Sequence, residues 1–284
     1  MDLSRLTGLP SLRRQNLLAE FVGFRQACPA GVFVSLTPGD PALWTGVLFV
    51  RDGPYAPAIL RFQIVFPERY PAQPPLITFA TDIFHPLVTP LTMSAADDEN
   101  LPPGGFSLRH GFPVWFSSQG AARRQSASLV QTPPRADAAD AADAATASTS
   151  ASIASTPSYM QTQPRADDVA TYDVLRYIRS TFDDATVLDA IPLESAGNPG
   201  AWHAWRAHRR QSAPTTAPAR EPGEWNWEHV WEERVKNGIN VSVSDAVLYG
   251  GTVATDDVIH FLSMDDGDVE AIKANLKRTL DVTV

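Results

Sequence analysis

From Ser117 to Asp168 the chain runs through 52 residues of mostly Ala, Ser, Thr, Gln, Asp and Pro. Only Leu129, Val130, Ile153, Tyr159 and Met160 offer apolar anchors there. A stretch of that composition buries too little apolar surface to offset the entropy of ordering it, and it reads as a disordered insert. It carries an internal echo, QTPPRAD at 131–137 and QTQPRAD at 161–167, which fits a duplicated low-complexity segment. The insert leaves 116 residues before it and 116 after it. Any packed domain must therefore be assembled across an interruption.

Charge and cysteine content narrow the function classes. Lys plus Arg is 23 against 32 for Asp plus Glu, a net charge of −9. Duplex nucleic acid and anionic lipid are both bound through cationic contacts, so neither is expected as a partner. One cysteine, Cys28, allows no intrachain disulfide and no thiolate zinc cluster. A reducing, cytoplasmic setting fits. The first residues show no apolar signal core, and the longest apolar stretch, near Leu43 to Val50, is far short of a membrane span. No glycine-rich phosphate loop or serine-nucleophile elbow is present, and no cofactor is expected.

The first block alternates helix and strand signals clearly. Leu6, Leu9, Leu12, Leu17, Leu18, Phe21 and Phe24 approximate helical spacing, with Pro10 in the first turn and Pro29 and Gly31 as stops. Strands are expected at 32–36, 43–51, 59–66 and 76–80, separated by the turn segments TPGDP and DGPYAP and by PERYPAQPP. In 59–66, Leu60, Phe62, Ile64 and Phe66 fall on one face. The pattern reads as an α+β fold, a helix packed on a four-stranded antiparallel meander. After the insert, Tyr172 to Phe182 has the spacing of an amphipathic helix. Asn198 and Pro199 form an N-cap and first-position pair for a second helix. A Pro-rich loop runs from Gln211 to Gly223. WNWEHVWEERVKNG at 225–238 reads as a helix closed by Gly238. An acidic stretch from Asp256 to Glu270 leads into a final helix through Val269 to Leu280.

The segment FPERYPAQPPLITFATDIFHP at 66–86 resembles the ubiquitin-conjugating (E2) fold. There an FPxxYPxxPP turn joins strands three and four, and a His-Pro-Asn motif follows. The resemblance makes Tyr70, Pro71, Pro74, Pro75, His85 and Pro86 structural motif residues. Two departures are decisive for chemistry. Leu87 stands where active members carry the asparagine, and an apolar side chain donates nothing to an oxyanion. The window around Ala95 to Asp97, where the nucleophilic cysteine would fall, has none. Thioester formation needs a thiolate, and only Cys28 could supply it. No enzymatic activity is therefore expected.

Among inactive E2 variants, PAGVFVSL, LWTGVLFVRDGPYAPAILRF and FHPLVTP resemble the Fused Toes, or AKT-interacting protein, family. The carrying residues are Trp44, Gly46, Val47, Phe49, Arg51, Gly53 and Tyr55, with Phe84 to Val88. The resemblance resumes in YDVLRYIRSTF and the Asn198–Pro199–Ala201 segment, and reaches toward EWNWEHVWEER at 224–234. It covers roughly 12–116 and 169–236 and implies an E2-like core over 1–116 and 169–211; composition adds the disordered insert at 117–168, a Pro-rich linker at 212–223 and a helical extension with an acidic tail at 224–284. It also implies a non-catalytic scaffold that pairs with a Hook coiled-coil protein and a Hook-interacting protein, FHIP, in a complex linking early endosomes to dynein. A ubiquitin-binding E2 variant assisting an active conjugating enzyme is the alternative, with ubiquitin as its partner.

Trp225, Trp227, Trp231 and Arg234 are the candidate partner-binding residues. Trp227 and Trp231 would share a face of the helix, and Trp beside Arg is the usual makeup of an interface anchor. The competing reading buries these tryptophans against the E2-like core. His85 reads as a structural histidine bonded to nearby backbone. His203 and His208, five apart, share a helical face poorly and are not expected to bind metal. Arg206, Arg209 and Arg210 read as a solvated helix end.

Overall fold

A computed structural model describes residues 10–24, 27–92, 101–116, 169–212, 226–249, 259 and 261–281. The insert and most of the Pro-rich linker lie outside the described residues. Helix α1 spans Pro10–Phe24. Four strands follow, β1 Val32–Thr37, β2 Asp40–Phe49, β3 Ile59–Val65 and β4 Leu76–Phe79. They form one antiparallel sheet in sequential order. After the insert come α2 Thr171–Asp183, α3 Ala185–Ala190 and α4 Pro199–Ser212. The last described elements are α5 Val230–Ser242, α6 Asp245–Leu248 and α7 Asp266–Asp281.

The sheet alternates as the sequence pattern requires. Trp44 and Leu48 on β2, with Leu60, Phe62 and Ile64 on β3, are buried in one core, and Phe66 continues the row. Gly46 makes room on that face, because a Cβ there would meet the Phe62 ring at 2.4 Å. β2 starts three residues earlier and ends two earlier than its apolar run suggests. Thr37 pairs with Asp40 across Pro38 and Gly39, and Gly39 takes a φ of +88°. That left-handed conformation closes a two-residue hairpin, which glycine does without steric penalty.

After the Phe66 amide, which donates to the Ala42 carbonyl of β2 at 2.9 Å, the FPERYPAQPP turn leaves the sheet and is held largely by side chains. The Phe66 ring packs on Trp44 at 4.7 Å and on Tyr70 at 4.8 Å. The Tyr70 hydroxyl lies 2.8 Å from the Thr171 hydroxyl and bonds the Glu20 carboxylate. One tyrosine thus links α1, the turn and α2, and burial pushes its pKa up. The Trp115 indole donates to the Pro71 carbonyl at 2.9 Å, and Arg13 donates to that of Phe66 at 2.6 Å.

The second block joins the same core. Val174, Leu175, Ile178 and Phe182 of α2 are buried, and they are the apolar positions that predict the helix. Asn198 caps α4 through its Oδ1, which accepts from the Ala201 amide at 3.1 Å. The basic end of α4 is solvent-exposed at Arg209 and Arg210, and Asp189 ties two of its arginines down. Arg206 donates to the Asp189 carbonyl at 2.8 Å, and Arg209 pairs with the Asp189 carboxylate at 2.7 Å. Arg210 remains exposed.

Helix α5 departs from the sequence reading at both ends. It begins at Val230, so Trp227 precedes it, and it runs through Gly238 to Ser242. Gly238 is buried and is no cap. A Cβ there would lie 3.0 Å from Ile83 Cδ1, so the residue marks a close approach of helix to core. Ser242 Oγ accepts the Ile59 amide at 3.2 Å, beyond the reach of β4, which pairs only with Phe62 to Val65. The segment at 224–284 is thus partly core: Trp231 is 6% exposed and Val235 2%. Trp231→Ala should lower unfolding free energy by about 3–5 kcal/mol, as large aromatic truncations in cores do. Urea melts of the full chain check this, and a change below about 1 kcal/mol would show that α5 is peripheral.

Candidate functional site

The His-Pro segment after β4 occupies the position at which an E2 carries its chemistry. His85 is fully buried. Its Nδ1 accepts the Leu87 amide at 3.0 Å, so the ring proton sits on Nε2, which donates to the Thr181 carbonyl at 3.0 Å. Thr181 lies in the last turn of α2, where carbonyls lack intrahelical partners. The imidazole therefore caps a helix from within the core. Its ring packs on Phe182 at 4.4 Å and Tyr55 at 5.1 Å. Burial disfavours the imidazolium and pushes the pKa down to about 3. The residue has no free nitrogen and no charge to offer a substrate.

Leu87 is equally committed. Its side chain is 0% exposed, its amide is spent on His85, and its carbonyl accepts the Ser107 amide at 2.8 Å. A Cβ on Gly197 would stand 2.8 Å from that same carbonyl, so the chain after α3 closes directly over it. The Pro86 carbonyl accepts the Asn198 amide at 3.0 Å. The residue after Pro86 thus inserts hydrocarbon into the core. The cysteine window around 95–97 lies outside the described residues and contains no cysteine in sequence.

Cys28 precedes β1, the strand at the opposite edge of the sheet from β4. Three strand spacings of about 4.8 Å put roughly 14 Å of sheet between those edges. The residue is exposed, but its thiol turns back to donate to the Val32 carbonyl at 3.1 Å. Partial desolvation there raises its pKa, which favours the less nucleophilic thiol.

The tryptophan candidates separate. Trp231 is a core residue, 4.9 Å from the Trp205 ring and 5.9 Å from Tyr55, and His208 stacks on it at 4.6 Å. This corrects its place among the exposed anchors: the pocket it fills is the chain's own. Trp227 is half-buried and stacks on His203 at 5.8 Å. The two histidines, on one helix, both stack on tryptophan rings. Among the described residues no three His, Cys, Asp or Glu side chains cluster as metal ligands. Arg234 stays exposed with its guanidinium over the Phe84 ring at 5.2 Å. Trp225 lies outside the described residues. The sequence signal for burial was present in the spacing from Trp231 to Val235, one helical turn, but the Tyr55 and Trp205 partners are distant in sequence.

The comparisons agree with this frame. Residues 17–92 match the ubiquitin-conjugating enzyme family model. A crossbronx homolog from Anopheles gambiae is 33% identical over 108 residues, 37% of this chain and 42% of that protein. The AKT-interacting protein of Danio rerio is 32% identical over 108 residues, covering 37% of this chain and 33% of that protein. Over this stretch the chain carries an E2-like domain that is similar to AKT-interacting protein and crossbronx relatives. Its match spans less than half the length of the curated relatives. An E2 domain from a Toxoplasma gondii ubiquitin conjugating enzyme shares 31% identity over 27% of this chain and 52% of that one, with a TM-score of 0.24, a score too low to carry weight.

His85 also gives this E2-like domain a pH signature. Its folded pKa is depressed below the ordinary 6.5, so the unfolded chain binds the extra proton between those values. The stability it confers is complete above pH 6.5 and is lost as pH falls toward 3, at about 1.4 kcal/mol per unit. His85→Gln should cost about 1–3 kcal/mol at pH 7.5, because the Leu87 amide loses its acceptor. The gap to the parent should narrow as pH drops from 6.5 to 4.5. Denaturant melts across that range test it, and parallel curves would contradict the buried neutral imidazole.

Proposed function

We propose that the chain is a non-catalytic scaffold subunit of a Fused Toes–Hook–FHIP-type adaptor, cytoplasmic and recruited to early endosomes through its partners, and linking them to dynein. The observation that carries the non-catalytic half is Leu87, sealed in the core at the position of the E2 asparagine, in a chain whose only cysteine is Cys28. The adaptor half rests on likeness to AKT-interacting protein and crossbronx relatives over the E2-like domain. A scaffold of this kind keeps the E2 frame for shape and gives up its reaction centre.

With purified activating enzyme, ubiquitin and ATP, no thiol-sensitive adduct should form, and Cys28→Ser should behave as the parent. An adduct lost in Cys28→Ser would overturn the non-catalytic assignment. Affinity capture of the tagged chain from its native lysate should recover Hook and FHIP near stoichiometrically. Recovery of ubiquitin and a catalytic E2, without Hook, would replace the adaptor reading with that of a ubiquitin-binding variant.

A further inference from the structure

The pentapeptide RRQSA occurs twice in the chain, at 123–127 and at 209–213. A third such run, Arg13 to Gln15, ends in Asn16, which has no hydroxyl. The copy at 123–127 lies outside the described residues. The copy at 209–213 begins in the last turn of α4, and Ser212 is the final residue of that helix. Among the described residues Ser212 is the one serine or threonine with arginine both two and three positions before it. Two cations at that spacing ahead of a hydroxyl are what a basophilic protein kinase reads, because carboxylates in its substrate groove pair with the guanidinium groups. Ala207 stands five positions before Ser212 and Ala213 one after it. A kinase that requires a third arginine or a following proline therefore does not fit.

The structure sets the two arginines apart. Arg210 is exposed, and its side chain forms no ion pair among the described residues. Arg209 is held. Its Nη2 lies 2.7 Å from the Asp189 carboxylate, its Nε donates to the same group at 3.0 Å, and its guanidinium lies over the Trp205 ring at 5.6 Å. The pair is partly exposed, 45% at the arginine and 31% at the aspartate, so water screens it and it exchanges readily. A kinase takes its acceptor segment in extended form, and only the last turn of α4 must open for that. The carbonyls of a last turn lack intrahelical partners, and helix ends fray. Asp189 thus competes with a kinase for Arg209 and leaves Arg210 available.

We propose that Ser212 is a phosphorylation site for a basophilic serine/threonine kinase, with the Arg209–Asp189 ion pair as its gate. In the step, Ser212 Oγ bonds to the γ-phosphorus of ATP and the bond from that phosphorus to the β,γ-bridging oxygen breaks. ADP leaves, and the hydroxyl proton passes to the catalytic carboxylate of the kinase. The product carries a phosphate at a helix C-terminus, where the helix dipole opposes its charge. Arg209, one turn back, can pair with it only by leaving Asp189. His208, the neighbour of Arg209, stacks on Trp231 of α5, so the modified group sits at the joint between the two helices.

The probe is the catalytic subunit of cAMP-dependent protein kinase with Mg-ATP, acting on the full chain, with phosphate at each serine followed by peptide mass spectrometry. Ser126, in the identical pentapeptide, is the internal reference. The parent should gain phosphate at Ser212. Asp189→Asn keeps an Oδ1 acceptor for the Trp205 indole but gives up the charge. It should speed Ser212 by about two- to fivefold, the size of a partly exposed ion pair, and leave Ser126 unchanged. Arg209→Gln breaks the same ion pair but removes a cation the kinase reads, so it should slow Ser212 by about tenfold or more. Mere loosening of α4 would speed Ser212 in both variants, and that result would overturn the proposal. So would Ser212 left unmodified in both the parent and Asp189→Asn, or a Ser212 rate indifferent to Asp189→Asn.

Discussion

One imidazole holds the two halves of this chain in register. His85 comes from the block before the insert and Thr181 from the block after it, 96 residues apart in sequence. The ring accepts from its own segment through Nδ1 and donates across the interruption through Nε2. A neutral histidine is suited to this task because it is donor and acceptor at once. The cost of burying it is met by two hydrogen bonds and by aromatic rings on Tyr55 and Phe182. Much else depends on that placement: the Leu87 carbonyl receives Ser107, the Pro86 carbonyl receives Asn198, and Gly197 seats against Leu87.

The same packing explains how the fold accommodates a leucine directly after the His85–Pro86 pair. A reacting site needs a polar side chain held at the surface, which is a demand in tension with core packing. Leu87 removes the demand. Its side chain adds to a cluster with Val88, Phe106 and Leu108, and only the backbone around it remains polar and fully paired. Motif residues thus divide into two groups. His85 and the prolines of the 66–75 turn hold the backbone in place, and Leu87 after Pro86 fills the core.

The sequence was legible where local pattern decided the outcome. The period-two run from Leu60 to Phe66, the buried spacing of α2 and the Asn198 cap all rest on neighbours within a few residues. It was opaque where distant residues decide. Gly238 looks like a helix stop because glycine usually is one after a polar turn, yet Ile83, from the other half of the chain, makes it a contact point. Trp231 looks like an exposed anchor in its own helix, and the cavity it fills is built by Tyr55 and Trp205. Nothing local to Arg206 and Arg209 shows that both bind Asp189, which lies on another helix. Helices α3 and α6, of six and four residues, are too short to show a period.

The fate of α5 also bears on where partners can bind. With the even-numbered residues of β2 and β3 turned into the core, Val47, Phe49 and Arg61 face the other side of the sheet. That side is not open: Val47 is 1% exposed. Arg61 donates to the Leu248 carbonyl at 3.1 Å, Ser242 receives the Ile59 amide, and Phe261 sits on Phe49. The chain's own C-terminal elements thus occupy sheet surface that a bare helix-and-meander domain would present. A partner that reads the E2 frame must either displace these contacts or recognise the composite they form. The second course requires no unfolding of α5, whose Trp231 and Val235 are core residues. The apolar side chains this composite leaves exposed include Phe33 on β1 and Ile272, Leu276 and Leu280 on α7.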